Sequence, residues 1–309
     1  ASLSGQPFLQ IDQATGEFKV IRIFDREALS SNEILLQVKA YQTDKPNTRI
    51  ALATVIVTVL DKNDNRPVIV PTNVSATIAE NSAAGTYVTR LSASDLDVNS
   101  TVEFFLSDPT GAFQIDSNSG VVTVRNSTLL DRESVPSFSF IVFAKELYTS
   151  EKFRSDNASV LVILSDANDN SPLFTAAQYN FSVSEAAPVG TVIGQVNATD
   201  TDSGPNGQIK FSLTHASGNG LSVMSLDPST GALALSANLS IANPTFVAFY
   251  QLVATATDQA AEIKDRRSTS VIVQVTIISS RVWPPAFTRP LFAVNITEAS
   301  PVGAEVVRL

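Results

Sequence analysis

Cysteine is absent from the 309 residues, and histidine occurs once, at His215. Those two gaps exclude thiol nucleophiles, thiolate zinc sites, a disulfide framework and most imidazole chemistry. Basic residues are scarce as well: 21 Lys and Arg face 30 Asp and Glu, for a net charge of −9 and a pI near 4.7. That balance argues against a nucleic-acid backbone or an anionic lipid surface as the main partner and favours cations. No run of 18 apolar residues occurs and no charged-then-apolar leader starts at Ala1, so neither a membrane span nor a signal peptide is expected in this piece. The chain does have 44% hydrophobic against 17% charged residues, enough to bury cores, and its length predicts about two domains. Eight N-x-[ST] sequons, headed by Asn73, Asn99, Asn126, Asn157, Asn180, Asn197, Asn238 and Asn295, point to an extracellular, glycan-bearing chain.

The chain also repeats. DKNDNRP at Asp61 to Pro67 returns as DANDNSP at Asp166 to Pro172, and SRVWPPAF occupies the matching place from Ser280 to Phe287. From Pro67 to Pro172 is 105 residues, and from Pro172 to Pro285 is 113. A period just over 100 residues is too long for a solenoid and suits a whole small domain. Other marks recur in the same order: x-E-x around Glu80, Glu185 and Glu298; D-x-D at Asp95/Asp97 and Asp200/Asp202; D-R-E at Asp25–Glu27 and Asp131–Glu133. A D/S-x-x-[ST]-G mark runs from Asp12 to Gly16 and from Asp227 to Gly231, with a shorter form read at Asn118 to Gly120.

Between these marks the pattern has period two and is rich in β-branched residues, as in Phe181–Val183, Ile34–Ala40 and Ser270–Val275. Gly, Pro, Asn and Asp punctuate it every 8–12 residues or so, which predicts about seven strands per repeat in a sandwich. The expected fold is all-β, a tandem array of Greek-key, immunoglobulin-like sandwiches. Boundaries placed at the N-D-N-x-P motifs give a C-terminal part of one repeat (1–67), two complete repeats (68–172 and 173–285) and the start of a fourth (286–309).

In such a sandwich, strand ends and loops cluster at the poles, so acids there converge when repeats are stacked. Between the second and third repeats these acids are Glu80, Asp131, Glu133, Asp166, Asp169, Asp200, Asp202 and Asp258. Two carboxylates about 4 Å apart repel by roughly 4 kcal/mol at an effective dielectric near 20, so without cations the converging acids would push the repeats apart or protonate, and a hard divalent cation resolves this. Ca²⁺ takes 6–8 oxygen ligands of mixed type in loose geometry, which Asp, Glu and the amides Asn168, Asn170 and Asn206 supply. Mg²⁺ would demand tighter octahedral order, and zinc would want His or Cys.

The set x-E-x, D-R-E, D-x-N-D-N-x-P, D-x-D and the A-x-D pattern ending at Asp258 resembles the extracellular cadherin repeat along the whole chain. The resemblance implies roughly three Ca²⁺ per complete linker, rigid end-to-end alignment of repeats, and a role in cell–cell adhesion or force transmission. Carried over by motif, the ligands of the second linker are Glu80, Asp131, Glu133, Asp166, Asn168, Asp169, Asn170, Asp200, Asp202, Asn206 and Asp258. The first linker takes Asp25, Glu27, Asp61, Asn63, Asp64, Asn65, Asp95 and Asp97, with Glu146 where the pattern has an aspartate; its x-E-x glutamate would precede Ala1. Glutamate is one methylene longer, so a weaker or displaced third ion is expected there. Asn99 is an uncertain match, competing with its use as a sequon. The third linker departs: Ser279, Arg281, Val282 and Trp283 replace the acids and amides, and Ser236 to Phe246 holds no acid. A calcium-free, bent or compliant junction around Trp283, Pro284, Pro285 and Phe287 is therefore expected.

Simpler readings compete. Asp and Asn in turns ordinarily hydrogen-bond their own backbone, and the repeated constellation is what argues against that here. His215, in THASGNG, reads as a surface turn residue. Leu96-Asp97-Val98 resembles an integrin-binding tripeptide, but Asp97 is better used on calcium. No nucleophile–base pair or cofactor motif is visible, so no enzyme is expected. Calcium is the one cofactor; the partners are other cadherin ectodomains, homophilic or heterophilic, with a cis dimer one arrangement, no nucleic acid and no membrane insertion by this segment. The chain reads as an extracellular rod segment of a single-pass plasma-membrane protein, stiffened at two linkers, for adhesion or mechanical linkage. Among subfamilies it leans towards long non-classical cadherins such as the tip-link protocadherin of hair cells, a hearing and mechanotransduction role. The rival reading is a lateral module docking a partner along its strand edges.

Overall fold

The structure, a computed structural model, describes residues 7–46, 48–98, 100–147, 149–217, 220–239, 249–278 and 291–307. The chain divides into two units, Ala1–Asp166 and Ala167–Leu309. Among the described residues every regular element is a strand or a single 3₁₀ turn.

Alternation along the sequence becomes alternation across each sheet, because successive side chains on a strand point to opposite faces. In the first unit, β1 (Leu9–Ile11) pairs with β2 (Phe18–Val20), and β3 (Glu33–Tyr41) pairs antiparallel with β4 (Ile50–Thr58). Then come β5 (Val68–Val70), β6 (Asn73–Ala79), β7 (Tyr87–Arg90), β8 (Ser92–Ser94) and β9 (Thr101–Ser107). The unit's last strands are β10 (Phe113–Ile115), β11 (Val121–Val124), β12 (Ser137–Leu147) and β13 (Ala158–Ser165). They form a four-stranded sheet in the order β6-β13-β12-β9, a three-stranded sheet β10-β11-β7 and a short pair β5-β8. β6 and β13 run parallel, Asn73 opposite Ser159 through Ala79 opposite Ser165. On β12, Phe138, Phe140, Val142, Ala144 and Glu146 all turn inward, so the buried face of the strand ends on a carboxylate.

The second unit repeats this plan. Its strands are β14 (Leu173–Phe174), β15 (Gln178–Ser184), β16 (Val192–Gln195), β17 (Ala198–Thr199), β18 (Lys210–Ser217), β19 (Met224–Leu226), β20 (Ala232–Leu235), β21 (Phe249–Thr257) and β22 (Ser268–Ile278). Sheets β15-β22-β21-β18 and β16-β20-β19 enclose the core, and β14 pairs with β17. On β21, Leu252, Ala254 and Ala256 are buried, and the same alternation carried one step past the strand buries Asp258. Each unit keeps its own hydrophobic core: one contains Phe113, Leu91, Val142 and Val160, the other Leu233, Leu252, Val273 and Val275. Burying each such side chain is worth about 1.5–3 kcal/mol.

Two local readings change. The short D/S-x-x-[ST]-G form is a complete turn beginning at Asp116, whose carboxylate accepts the backbone N–H of Asn118 and Ser119 as Asp12 and Asp227 do in theirs. His215 lies in strand β18, opposite Leu252 in the regular register, and the ladder continues through a register shift to Ser217, past the expected turn.

Candidate metal centre

The first unit holds the whole acid set predicted for the first linker. Oxygens of Glu27, Asp64 and Asp97 come within 4.8 Å of one another, and so do those of Asp95, Asp97 and Glu146. Asp97 is 7% exposed and Glu146 fully buried. Local chain geometry places them: Asp97 N–H donates to Asp95 Oδ1 at 3.0 Å, and the Val98 N–H donates to Asp61 Oδ2 at 3.1 Å. Asn65 donates its backbone N–H to Asp97 Oδ2 at 3.0 Å and its amide Nδ2 to Asp97 Oδ1 at 2.6 Å. Asn63 Nδ2 donates to Glu146 Oε2 at 2.8 Å, where Thr149 Oγ1 also donates at 2.8 Å. Asp25 accepts the Ala28 N–H at 3.1 Å. The longer glutamate has not withdrawn its carboxylate from the cluster. Asp97, so held, is too enclosed for the integrin-type tripeptide reading.

The second linker's residues are divided between the units. Glu80, Asp131, Glu133 and Asp166 belong to the first. Glu80 is 2% exposed, and its Oε2 accepts the Arg132 N–H at 2.8 Å. The Ser134 hydroxyl, followed by its N–H, holds the Asp131 carboxyl below its ordinary range, whereas burial, reinforced by Glu80, pushes Glu133 up. In the second unit lie Asn168, Asp169, Asn170, Asp200, Asp202, Asn206 and Asp258. Their bonds reproduce those of the first linker. Asn170 donates N–H and Nδ2 to the two oxygens of Asp202 at 3.3 and 2.8 Å. Asp202 N–H donates to Asp200 Oδ1 at 3.0 Å, and Asn168 Nδ2 donates to Asp258 Oδ2 at 3.1 Å. Asp258, fully buried, plays the part of Glu146.

The oxygens left over decide what chemistry the arrangement suits. Glu27 Oε1, Asn63 Oδ1, Asp95 Oδ2, Glu146 Oε1, Asn168 Oδ1 and Asp200 Oδ2 are buried and accept no hydrogen bond. Buried acceptors are rarely left so; these six belong to residues expected to bind a cation, while Ser100 Oγ and Glu185 Oε1, outside that set, also accept no hydrogen bond. Each asparagine uses its amide nitrogen on a carboxylate and keeps its carbonyl oxygen in reserve. A hard cation with six to eight oxygen ligands fits this donor set, and no nitrogen or sulfur ligand stands among them.

Sequence reasoning passed over the middle residue of D-R-E, although it recurs. Arg26 lies 3.9 Å from Glu27 and 3.7 Å from Asp61, and Arg132 pairs with Glu80, Glu133 and Asp166. It also passed over Arg267, whose N–H donates to Asp258 at 2.7 Å and whose Nε donates to the Asn168 carbonyl at 2.8 Å. Ser279, Arg281, Val282, Trp283, Pro284, Pro285 and Phe287 of the third junction, and Asn99, lie outside the described residues.

The cadherin domain model matches residues 74–165 and 179–278, more than half of the chain. The chain belongs to the cadherin family. It is 34% identical over 307 residues to the protocadherin-like wing polarity protein stan of Drosophila melanogaster, covering 97% of this chain and 8% of that protein. It is 33% identical over 269 residues to the mouse cadherin EGF LAG seven-pass G-type receptor 1, covering 86% of this chain and 8% of the relative. The chain thus spans a small fraction of the curated relatives it matches. Among solved structures, mouse cadherin-23 repeats EC22-24 superpose with a TM-score of 0.71 at 26% identity, covering 90% of this chain and 84% of that one. Protocadherin gammaB7 EC3-6, described as a cis-dimer structure, gives 0.74 at 26% identity, covering 90% and 65%. Cadherin-domain proteins are adhesion proteins, and the chain is not an enzyme. Ectodomains of this family are extracellular parts of membrane proteins, and among the described residues no helix is long and apolar enough to cross a membrane.

Proposed function

We propose that this chain is a calcium-stiffened rod segment of a long non-classical cadherin ectodomain, serving adhesion or mechanical linkage. In this reading, residues 1–67 complete one repeat, 68–172 and 173–285 are whole repeats, and 286–309 open a fourth. Ca²⁺ binds at the first linker through Asp25, Glu27, Asp61, Asn63, Asp64, Asn65, Asp95, Asp97 and Glu146. At the second it binds through Glu80, Asp131, Glu133, Asp166, Asn168, Asp169, Asn170, Asp200, Asp202, Asn206 and Asp258. The third junction carries none. The observation that supports this most is the set of buried, unbonded oxygens on Glu27, Asn63, Asp95 and Glu146 at the first linker and on Asn168 and Asp200 at the second. A cation that binds the folded linker and not separated repeats stabilises alignment by about 2.7 kcal/mol per site at a hundredfold excess over Kd. All sequon asparagines among the described residues are exposed, in keeping with a glycosylated extracellular surface. A hair-cell tip-link parent suits the many-repeat, partly calcium-free design, and so do parents of the seven-pass type.

Calcium titration of the 309-residue chain by calorimetry tests the proposal. About five or six sites are expected, from roughly three per loaded linker, with a calcium-dependent rise in Tm. Eight or nine, counted on that same basis, would place ions at the third junction and refute the substitution argument; none would refute the calcium reading altogether.

A lateral, partner-docking role is the second reading. It draws on an outward apolar stripe of the first unit, Phe105, Ile141, Leu161 and Ile163, each 37–41% exposed on β9, β12 and β13. Sedimentation at tens of micromolar checks it: association that Ile141→Ser or Leu161→Ser abolishes supports lateral docking, and a monomer rules out self-docking.

A further inference from the structure

Arg132 sits among carboxylates that the reading above gives to calcium. Its Nη2 is paired with Glu133 Oε1 and lies 2.5 Å from Asp166 Oδ1, while its Nε is 3.7 Å from Glu80 Oε1. Its own backbone N–H donates to the other Glu80 oxygen. The Glu80 side chain is fully buried and the Arg132 side chain is 18% exposed, so the guanidinium reaches the acids from the rim and has a way out. A buried carboxylate without a counter-charge is costly, and a guanidinium stays protonated at any physiological pH. Arg26, in the other D-R-E, does the same more loosely, with two partners at 3.7 and 3.9 Å.

We propose that Arg132 is a built-in counter-cation that neutralises Glu80, Glu133 and Asp166 in the calcium-free protein and is displaced from them when the metal binds. Calcium binding at this linker is then an exchange of cations. The guanidinium and Ca²⁺ compete for the same oxygens, and two positive charges a few ångströms apart in a half-buried site repel each other. The arginine therefore sets the calcium concentration at which the linker loads, while keeping the first unit folded when calcium is low. Because Arg26 holds its acids less closely, the first linker loads with less competition.

The inference rests on the calcium reading, and its test separates the two. Arg132→Gln keeps hydrogen-bonding capacity and removes the charge. It is expected to tighten calcium binding at the second linker about tenfold, the equivalent of about 1.4 kcal/mol, and to lower the Tm measured in chelator. Arg26→Gln changes both less. Unchanged affinity and unchanged chelator Tm for Arg132→Gln would make the arginine a bystander. Weaker calcium binding would show that it positions the carboxylates for the metal; either result overturns the proposal. If the wild-type chain binds no calcium, the reading under it fails, whereas the chelator Tm still tests the counter-cation half. Should Arg132→Gln fail to fold, the guanidinium NMR signals of wild-type Arg132 decide. Hindered rotation in chelator that becomes free on adding calcium supports exchange, and signals unmoved by calcium refute it.

Discussion

Neutralising Asp95 should change the sign of its effect with calcium. Oxygens of Asp95, Asp97 and Glu146 lie within 4.8 Å of one another, and Glu146 is wholly buried. At that distance and an effective dielectric near 20, each pair repels by at least about 3.5 kcal/mol, and Asp95 takes part in two pairs. Asp95→Asn removes both repulsions while its Oδ1 still accepts the Asp97 N–H. Relaxation and water will leave only part of that energy in the measured stability. A residue of about 1 kcal/mol already moves Tm by about 4–8 °C in a domain of this size. In chelator, Asp95→Asn should therefore melt higher than wild type. In millimolar calcium it should melt lower, because a ligand is lost and with it about 2.7 kcal/mol of stabilisation for a site held at a hundredfold excess over Kd. Paired scanning calorimetry in the two buffers measures both shifts. A variant that melts lower in both, or that keeps the full calcium-dependent rise, would refute the idea that these oxygens are held together for a cation.

Two further outcomes concern the turns that build the sandwiches. Gly231 and Gly190 both adopt positive φ, +71° and +89°, but a Cβ at Gly231 would lie 2.3 Å from the Val196 carbonyl oxygen while one at Gly190 meets nothing within 4 Å. Gly190→Ala should cost only about 1–2 kcal/mol for the left-handed backbone; Gly231→Ala should cost distinctly more in denaturant unfolding, and equal losses would contradict the packing argument. Hydrogen bonds from the Thr230 N–H and hydroxyl hold the Asp227 carboxyl below its usual range. A depressed folded-state value contributes stability that is complete above the unfolded pKa near 4 and is lost as pH falls through the folded value. Asp227→Asn should flatten that acid limb of the second unit's stability curve, and an unchanged limb would assign it to other acids.

Much of the molecule was legible along the chain because the strands announce themselves by alternation and the turns by their Asp and Gly. β3, β15 and β22 lie where period-two runs predict them. Glu146 and Asp258 share a place in the repeat despite differing in type, and the structure agrees, since both stand at the end of a buried alternation and bind the matching asparagine amide. The D-x-x-[ST]-G turn reads short, from Asn118, along the sequence, and the bonds of the Asp116 carboxylate to the Asn118 and Ser119 N–H groups set its start at Asp116. β18 ran past its expected end because pairing with β21 overrides the turn propensity of THASGNG.

The linear sequence determined the all-β class, the repeat length and the set of acids and amides, since these follow from side-chain period and motif order, both local properties. Tertiary structure alone decided which oxygen of each residue is bonded and which is held back. It also decided that Arg132 turns into the acids instead of out to water. Those outcomes depend on distances between residues as far apart in sequence as Asn63 and Glu146, or Glu80 and Asp166. Sequence order carries no such distances; the packing of the two sheets sets them.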